Sequence, residues 1–424
     1  MSTNPADYSL ADFYISDSPD MMQPPDSFRW WIGAADWAIS QYEPCFAAGP
    51  AARSRLCSRD GARPVINLSS YNYLGMATNP VVMRAMQEAI GAYGTGACGP
   101  PMLSGKTDLH LRLEKKLAAF LRKESATLFN TGFAGGLAVI SGLARRGDVV
   151  VADALAHMCL VDGVKLSGAR LEYFQHNDPA DLDRALSAHQ GKRRMVAVDG
   201  VYSMDGDMAR LPELLDVAES HGVPLLVDEA HSILACGPTG GGAAEHFGAQ
   251  HRVGIQFGTC SKAFASLGAF AAGAADTLHY LRYYAHPYTF SACMPPYIAA
   301  GMLAVLELNE RRPELRTTLS VNAHYFRSQA QSLGLGTGHS TTHIVPIVVG
   351  ADRALLYEAC ALMRERGLFL PPVDYPTVAQ DQVRYRCSVT AAHTREDLDE
   401  ALNIINDTLV PMMRARGLLR EATV

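Results

Sequence analysis

The sequence predicts an α/β protein, with a mostly parallel central sheet covered by helices on both faces and a smaller C-terminal α+β domain. Between about residues 125 and 260, short apolar runs alternate with amphipathic helical segments, the rhythm of parallel strands joined by crossover helices. A second, shorter alternation follows a long helical stretch opened by Pro295 and Pro296. The 424 residues, 48% hydrophobic and 19% charged, are also enough for about two or three domains with cores of their own. The expected division is 1–65 as an N-terminal arm and helix, 66–300 as the large α/β domain and 301–424 as the C-terminal domain.

Taken in order, residues 1–25 are polar and end in Gln23-Pro24-Pro25-Asp26, which predicts a mobile or draped arm. Phe28 to Phe46 carries Trp30, Trp31, Ile32, Trp37, Ile39 and Tyr42 at spacings that suit an amphipathic helix docking on a partner or on its own core. With Arg29 as its one basic residue, this segment lacks the cationic face of a membrane-surface helix. Val65–Leu68 reads as a strand. Pro80 at a first turn and the cluster Gly94-Thr95-Gly96 bound a helix over 80–93, and Leu109, Leu113, Leu117 and Phe120 set another over 107–121.

The buried strands are expected at 127–129, 149–151, 171–174, 195–198, 224–227 and 255–257, with helices at 137–143, 180–189 and 212–221. After the helical stretch 295–333, strands at 343–349 and 383–389 and a helix at 395–409 build the C-terminal domain.

Composition excludes several classes. With 37 basic and 43 acidic side chains, a net charge of -6 and no block of one sign, the chain lacks the footprint of a nucleic-acid binder. Nine cysteines without a CxxC pair or a Cys/His cluster argue against a disulfide framework and against a metal site, and read as reduced thiols. The N-terminus lacks a basic and then apolar signal segment, and no apolar run of about 18 residues predicts a membrane span, so a cytoplasmic protein is expected.

In a parallel sheet, ligands sit at the carboxyl ends of strands, so function is sought there. Asn130-Thr131-Gly132-Phe133-Ala134-Gly135-Gly136 opens a helix and could hold a phosphate on backbone N–H groups; the alternative is a plain glycine-rich turn. It is neither a GxGxxG fingerprint nor a Walker loop. His157, just past the next strand, could stack on an aromatic ring or be a satisfied loop histidine. Ser203 supplies a hydroxyl. In Asp228-Glu229-Ala230-His231-Ser232 the carboxylate could keep a ring nitrogen protonated while His231 bonds a ring hydroxyl, unless the pair is an acidic cap and a buried histidine.

In Gly258-Thr259-Cys260-Ser261-Lys262 a lysine stands beside two hydroxyls that could hold a phosphate, an arrangement suited to an imine-forming amine. Cys260 reads as a packing residue. Singly, these signals are modest. Together they compose a site for pyridoxal 5'-phosphate (PLP).

At these residues the chain resembles the fold-type I PLP-dependent transferases, and more narrowly the α-oxoamine synthase family. The likeness covers about 65–410 and rests on Tyr71-Asn72-Tyr73-Leu74-Gly75, the segments around Asp228 and Lys262, Phe290-Ser291-Ala292-Cys293-Met294-Pro295-Pro296 and Arg386-Cys387-Ser388-Val389-Thr390. The resemblance implies that Lys262 forms the Schiff base, that Asp228 partners the pyridine nitrogen, that His157 lies over the ring and that Ser203 and His231 meet its oxygen. It implies phosphate contacts from Gly132, Phe133 and Thr259, with Ser291 given by the other subunit of a homodimer. Arg386 and Asn72 would hold the amino-acid carboxylate, a role to which a guanidinium fork is suited.

The activity so implied is a decarboxylative condensation of a small α-amino acid with an acyl thioester, giving an α-amino ketone. Gly99-Pro100-Pro101-Met102-Leu103-Ser104-Gly105 lacks the basic residue usual there, Asp199-Gly200 replaces Glu-Gly, and Gly268-Ala269-Phe270 replaces Gly-Gly-Phe. CoA and carrier-protein donors both stay open. The alternatives are another fold-type I activity, such as an aminotransferase, and a non-catalytic partner subunit.

Overall fold

The computed structural model describes residues 8, 10–14, 18–35, 41–58 and 61–419. The first helix, α1 (Asp26–Ala34), is shorter than the expected 28–46 segment, whose Trp37 and Ile39 lie outside the described residues. Part of the arm folds onto α1: Tyr8 meets Trp30 edge-on at 5.7 Å, and Phe13, ending a short 3-10 turn, lies 5.1 Å from Trp31. These aromatic contacts bury surface that the polar composition of the arm concealed.

β1 (Arg53–Ser58) and β2 (Gly61–Asn67) pair antiparallel. In α2 (Pro80–Tyr93) the Asn79 side chain accepts the Val81 N–H, and α3 (Asp108–Phe120) begins with a capping box between Thr107 and His110.

The α/β alternation then runs β3 (Ser125–Phe129), α4 (Gly132–Leu143), β4 (Val149–Asp153), α5 (Met158–Ser167), β5 (Arg170–Phe174), α6 (Pro179–Ala188), β6 (Arg194–Asp199), α7 (Leu211–Ser220), β7 (Leu225–Asp228), β8 (Ile255–Thr259), β9 (Ala269–Gly273) and α8 (Ala275–Tyr284). The helical stretch over 295–333 is two helices, α9 (Pro296–Arg311) and α10 (Glu314–Ser332), parted at Pro313.

β10 (Ile344–Gly350), α11 (Arg353–Glu365), β11 (Leu368–Phe369), β12 (Pro372–Val373), β13 (Val383–Ser388) and α12 (Arg395–Ala415) complete the chain. α12 runs past the expected end at 409 despite Pro411, because Val410 and Met413 are buried and their packing offsets the missing N–H.

Packing divides the chain into one unit of 1–70, 204–206 and 320–424 and another of 71–203 and 207–319. In the second unit seven strands form one sheet in the order β3-β9-β8-β7-β6-β4-β5. β8, β7, β6, β4 and β5 are parallel, whereas β9 runs antiparallel to both β8 and β3. Two reversals restore the direction of β3, so its carboxyl end shares an edge with those of the parallel strands.

Alternate residues face opposite layers. Val149, Val151, Val196, Val198, Leu225 and Val227 join one core, while Val150, Ala197 and Leu226 join the other. Both faces of the sheet are covered, as expected for a parallel sheet.

In the first unit, β1-β2-β11 and β10-β13-β12 form two small sheets. Its core gathers Ile66, Phe326, Ile347, Leu355, Tyr385, Leu398 and Ile405. Among the described residues, no helix is long and apolar enough to cross a membrane.

Candidate active site

The carboxyl edge of the large sheet opens into a cavity of about 160 Å³, lined from five separate strand ends. Gly132 and Phe133 come from the start of α4, His157 and Cys159 from the start of α5, Asp199 and Val201 from the end of β6, Asp228, Ala230 and His231 from the end of β7, and Thr259, Ser261 and Lys262 from the end of β8. The inserted strand β9 brings the first and last of these together. Ala269 pairs with both Phe129 and Thr259, so the turn after β3 lies beside the turn after β8.

A Cβ on Gly132 would stand 2.5 Å from Thr259 Oγ1, closer than a side chain tolerates. Glycine is what allows this approach. The first-turn N–H groups of α4 are the ones a helix leaves without internal acceptors, and the Thr131 side chain takes that of Ala134 at 3.2 Å. Thr259 Oγ1 lies 2.9 Å from Ser261 Oγ, giving two hydroxyls at the same place. Helix start and hydroxyl pair together make an anion cradle.

Asp228 is 3% exposed and accepts the Ala230 N–H at 2.8 Å. Burial pushes its carboxyl above the usual range, against the opposing pull of Lys262 and His157. Asp199 pairs directly with Asp228 across β6 and β7, and burial followed by this like charge raises it well above an ordinary carboxyl. His157 caps α5: its Nδ1 accepts the Cys159 N–H at 3.2 Å, which puts the proton of the neutral ring on Nε2. Burial lowers its basicity and favours that neutral form. The His231 ring is held through Nδ1 by the Tyr73 hydroxyl at 2.7 Å.

Of the residues singled out from sequence, Gly132, Phe133, His157, Asp228, His231, Thr259 and Lys262 line this cavity. The others lie elsewhere. Ser203 is half-buried in the turn after β6, outside the lining. Ser291 Oγ accepts the Asn130 amide at 2.6 Å, and Asn72 Oδ1 accepts the Ala77 N–H at 3.1 Å. Arg386 belongs to the other packing unit, where it is 2% exposed and donates to Ser388 Oγ at 2.7 Å.

Sequence reasoning passed over Asp199 and Cys159. Asp199 carries the signal that revealed Asp228, an acid closing an apolar run. Cys159 shows itself only in space, with Sγ 3.9 Å from Asp228 Oδ2. His157, Cys159 and Asp228 present ligand atoms within 4.8 Å of one another, and burial raises the Cys159 thiol strongly.

The sequence matches the family described as aminotransferase class I and II over residues 63–405. The chain belongs to that family. It is 42% identical over 342 residues to the 8-amino-7-oxononanoate synthase of Symbiobacterium thermophilum, covering 80% of this chain and 87% of the relative. Its fold is similar to that of Sphingomonas wittichii serine palmitoyltransferase, with a TM-score of 0.87, 28% identity and coverage of 95% and 100% of the two chains. A high-resolution structure of SPT with PLP gives the same TM-score, 0.87, at 28% identity over 94% of this chain and 100% of that one. These matches place the chain among the α-oxoamine synthases, which are PLP-dependent enzymes.

The cavity fits that cofactor. It offers an amine from the end of β8 for the aldehyde, a buried carboxylate from the end of β7 for the ring nitrogen, and an anion cradle shared by the turns after β3 and β8 for the phosphate.

Proposed function

We propose that the chain condenses a small α-amino acid with an acyl thioester, releasing carbon dioxide and a free thiol and giving an α-amino ketone. The observation that carries this reading is the convergence of Lys262, Asp228, His157, His231 and the Gly132 cradle on one cavity of the large unit. PLP, when bound, supplies an electron sink for the pair of electrons left at the amino acid's Cα.

The chain's own residues do the rest. Lys262 would bind the aldehyde and, once displaced by the amino acid, take the proton from Cα through Nζ. Asp228, fixed by the Ala230 N–H, would keep a proton on the ring nitrogen, and its burial strengthens that charge pairing. His157 would cover the ring face, and His231, oriented by Tyr73, would meet the ring oxygen. Gly132, Phe133 and Thr259 would hold the phosphate, with Ser261 added by the geometry.

We assign Arg386 and Asn72 to the amino-acid carboxylate, and Ser203 to the ring oxygen, on the likeness to the family. Ser291, which does not line the cavity of its own chain, is assigned to the cavity of a second copy in a homodimer.

The test is an absorbance titration of the PLP form with glycine, alanine and serine, followed by thiol trapping with acyl-CoA and acyl-carrier donors. Thiol release dependent on one amino acid is expected. Formation of a keto acid from the amino donor without thiol release would replace condensation by transamination.

A further inference from the structure

A second piece of chemistry lies far along the chain from the Lys262 cavity, in the unit built from both termini. Residues 45–47 form a short antiparallel pairing with β1: Phe46 bridges Leu56, the Ala47 N–H donates to Arg55 O at 2.8 Å, and the Cys57 N–H donates to Cys45 O at 2.8 Å. Side chains alternate across such a pairing. Phe46 and Leu56 turn inward onto Val65 and Phe369, which sends Cys45 and Cys57 to the outer face, where both are exposed.

These two cysteines stand directly opposite each other at a hydrogen-bonded position, for which Cα atoms are about 5.5 Å apart. A disulfide spans about 4.4–6.8 Å between Cα atoms. The neighbouring Cys45 side chain raises the Cys57 thiol. On its other side Cys57 pairs with Ala62, too small to crowd a sulfur. Of the nine cysteines only Cys98 is otherwise exposed.

We propose that Cys45 and Cys57 are a reversible redox site, forming a disulfide that staples residues 45–47 to β1. With a low-molecular-weight disulfide such as oxidised glutathione, one cysteine thiolate attacks the glutathione sulfur and releases one reduced glutathione. The other cysteine then attacks the mixed disulfide and releases the second. Two S–H bonds are lost from the protein, one S–S bond forms, and the two electrons and two protons end on two glutathione thiols.

The staple fixes a segment otherwise held by two strand hydrogen bonds and by side-chain contacts, among them Tyr42 Oη to Tyr357 Oη at 2.6 Å and Arg364 to Gln41 O at 2.9 Å. Its effect is to lock the route by which the N-terminal residues reach the sheet.

The experiment uses the full chain, equilibrated with an excess of oxidised glutathione, alkylated, denatured and digested with trypsin without reduction. Arg53 and Arg55 lie between the two cysteines, so their peptides separate unless a disulfide joins them. The expected result is a joined pair released by dithiothreitol, with native cleavage at Arg53 and Arg55 slowed about tenfold. Cys45→Ser and Cys57→Ser should each retain a stable glutathione adduct at the remaining cysteine of the pair, and Cys98→Ser should form the Cys45–Cys57 link as the parent does. Stable adducts on both cysteines of the parent chain, linkage of either to a different cysteine, or no reaction would each overturn the proposal.

Discussion

Two clusters of carboxylates and histidine occupy the same edge of the seven-stranded sheet, and they are built to opposite ends. In the first, Asp153 at the end of β4 and Asp207 beyond β6 flank His176, with Nδ1 and Nε2 each 2.9 Å from a carboxylate oxygen. Burial opposes a charge on this imidazole, but the hydrogen bonds to Asp153 and Asp207 raise it to about 10. The Tyr202 ring meets it edge-on, with ring centres 4.4 Å apart. In the second, Asp199 and Asp228 are neighbours in register, burial raises both, and the nearby His157 is lowered. The first cluster settles its charge within the chain. The second directs its carboxylates into a cavity, a setting that makes them candidates for a functional role.

Lys262→Ala should cut thiol release about 10⁴-fold while thermal midpoints stay within about 2 °C; a large loss of stability would erase the contrast. Asp228→Asn should lower the rate about 10³-fold by removing the charge that holds the ring proton, and a rate near the parent's would show that Asp228 is structural after all.

At the other cluster, His176→Gln should cost about 2–3 kcal/mol of stability in denaturant melts, with the chemistry little changed in the fraction that stays folded. Because the folded value of His176 lies above its ordinary 6.5, its contribution is fully present below about 6.5 and fades as pH rises through about 10. The stability gap between parent and His176→Gln should therefore close over that window, and a gap independent of pH would refute the ion triad. The smallest effect is expected from Cys159→Ala, within about tenfold in rate, read from the pH profile of the cofactor's absorbance. No shift in that profile would mean that the thiol does not tune Asp228.

Much of this edge was legible in the sequence because the parallel strands are buried on both faces and read as unbroken apolar runs. Each run pointed to the residue after it, which is how Gly132, His157, Asp228 and Lys262 were found. β9 escaped: Ala269-Phe270-Ala271-Ala272-Gly273 has no β-branched residue, and its small side chains are there because neighbours press close. A Cβ on Gly258 would meet the Phe270 ring at 2.5 Å, and one on Gly135 would meet Ala269 Cβ at 2.8 Å. Asp199 carried the same signal as Asp228, but its pairing with Asp228 is a matter of register, and register between distant strands is fixed by the whole sheet. The arm's packing on α1 was hidden for another reason, since Tyr8 and Phe13 acquire meaning only beside Trp30 and Trp31.

The antiparallel strand β9 also orders events in time. Gly132 and its cradle leave the ribosome long before Thr259 and Lys262, and the rung that sets them side by side, Ala269, emerges later still. A nascent chain halted before Gly273 would carry the amine and the phosphate cradle as unjoined pieces. The proposed capture of cofactor by Lys262 and the Gly132 turn should therefore follow closure of the long loop that completes the sheet.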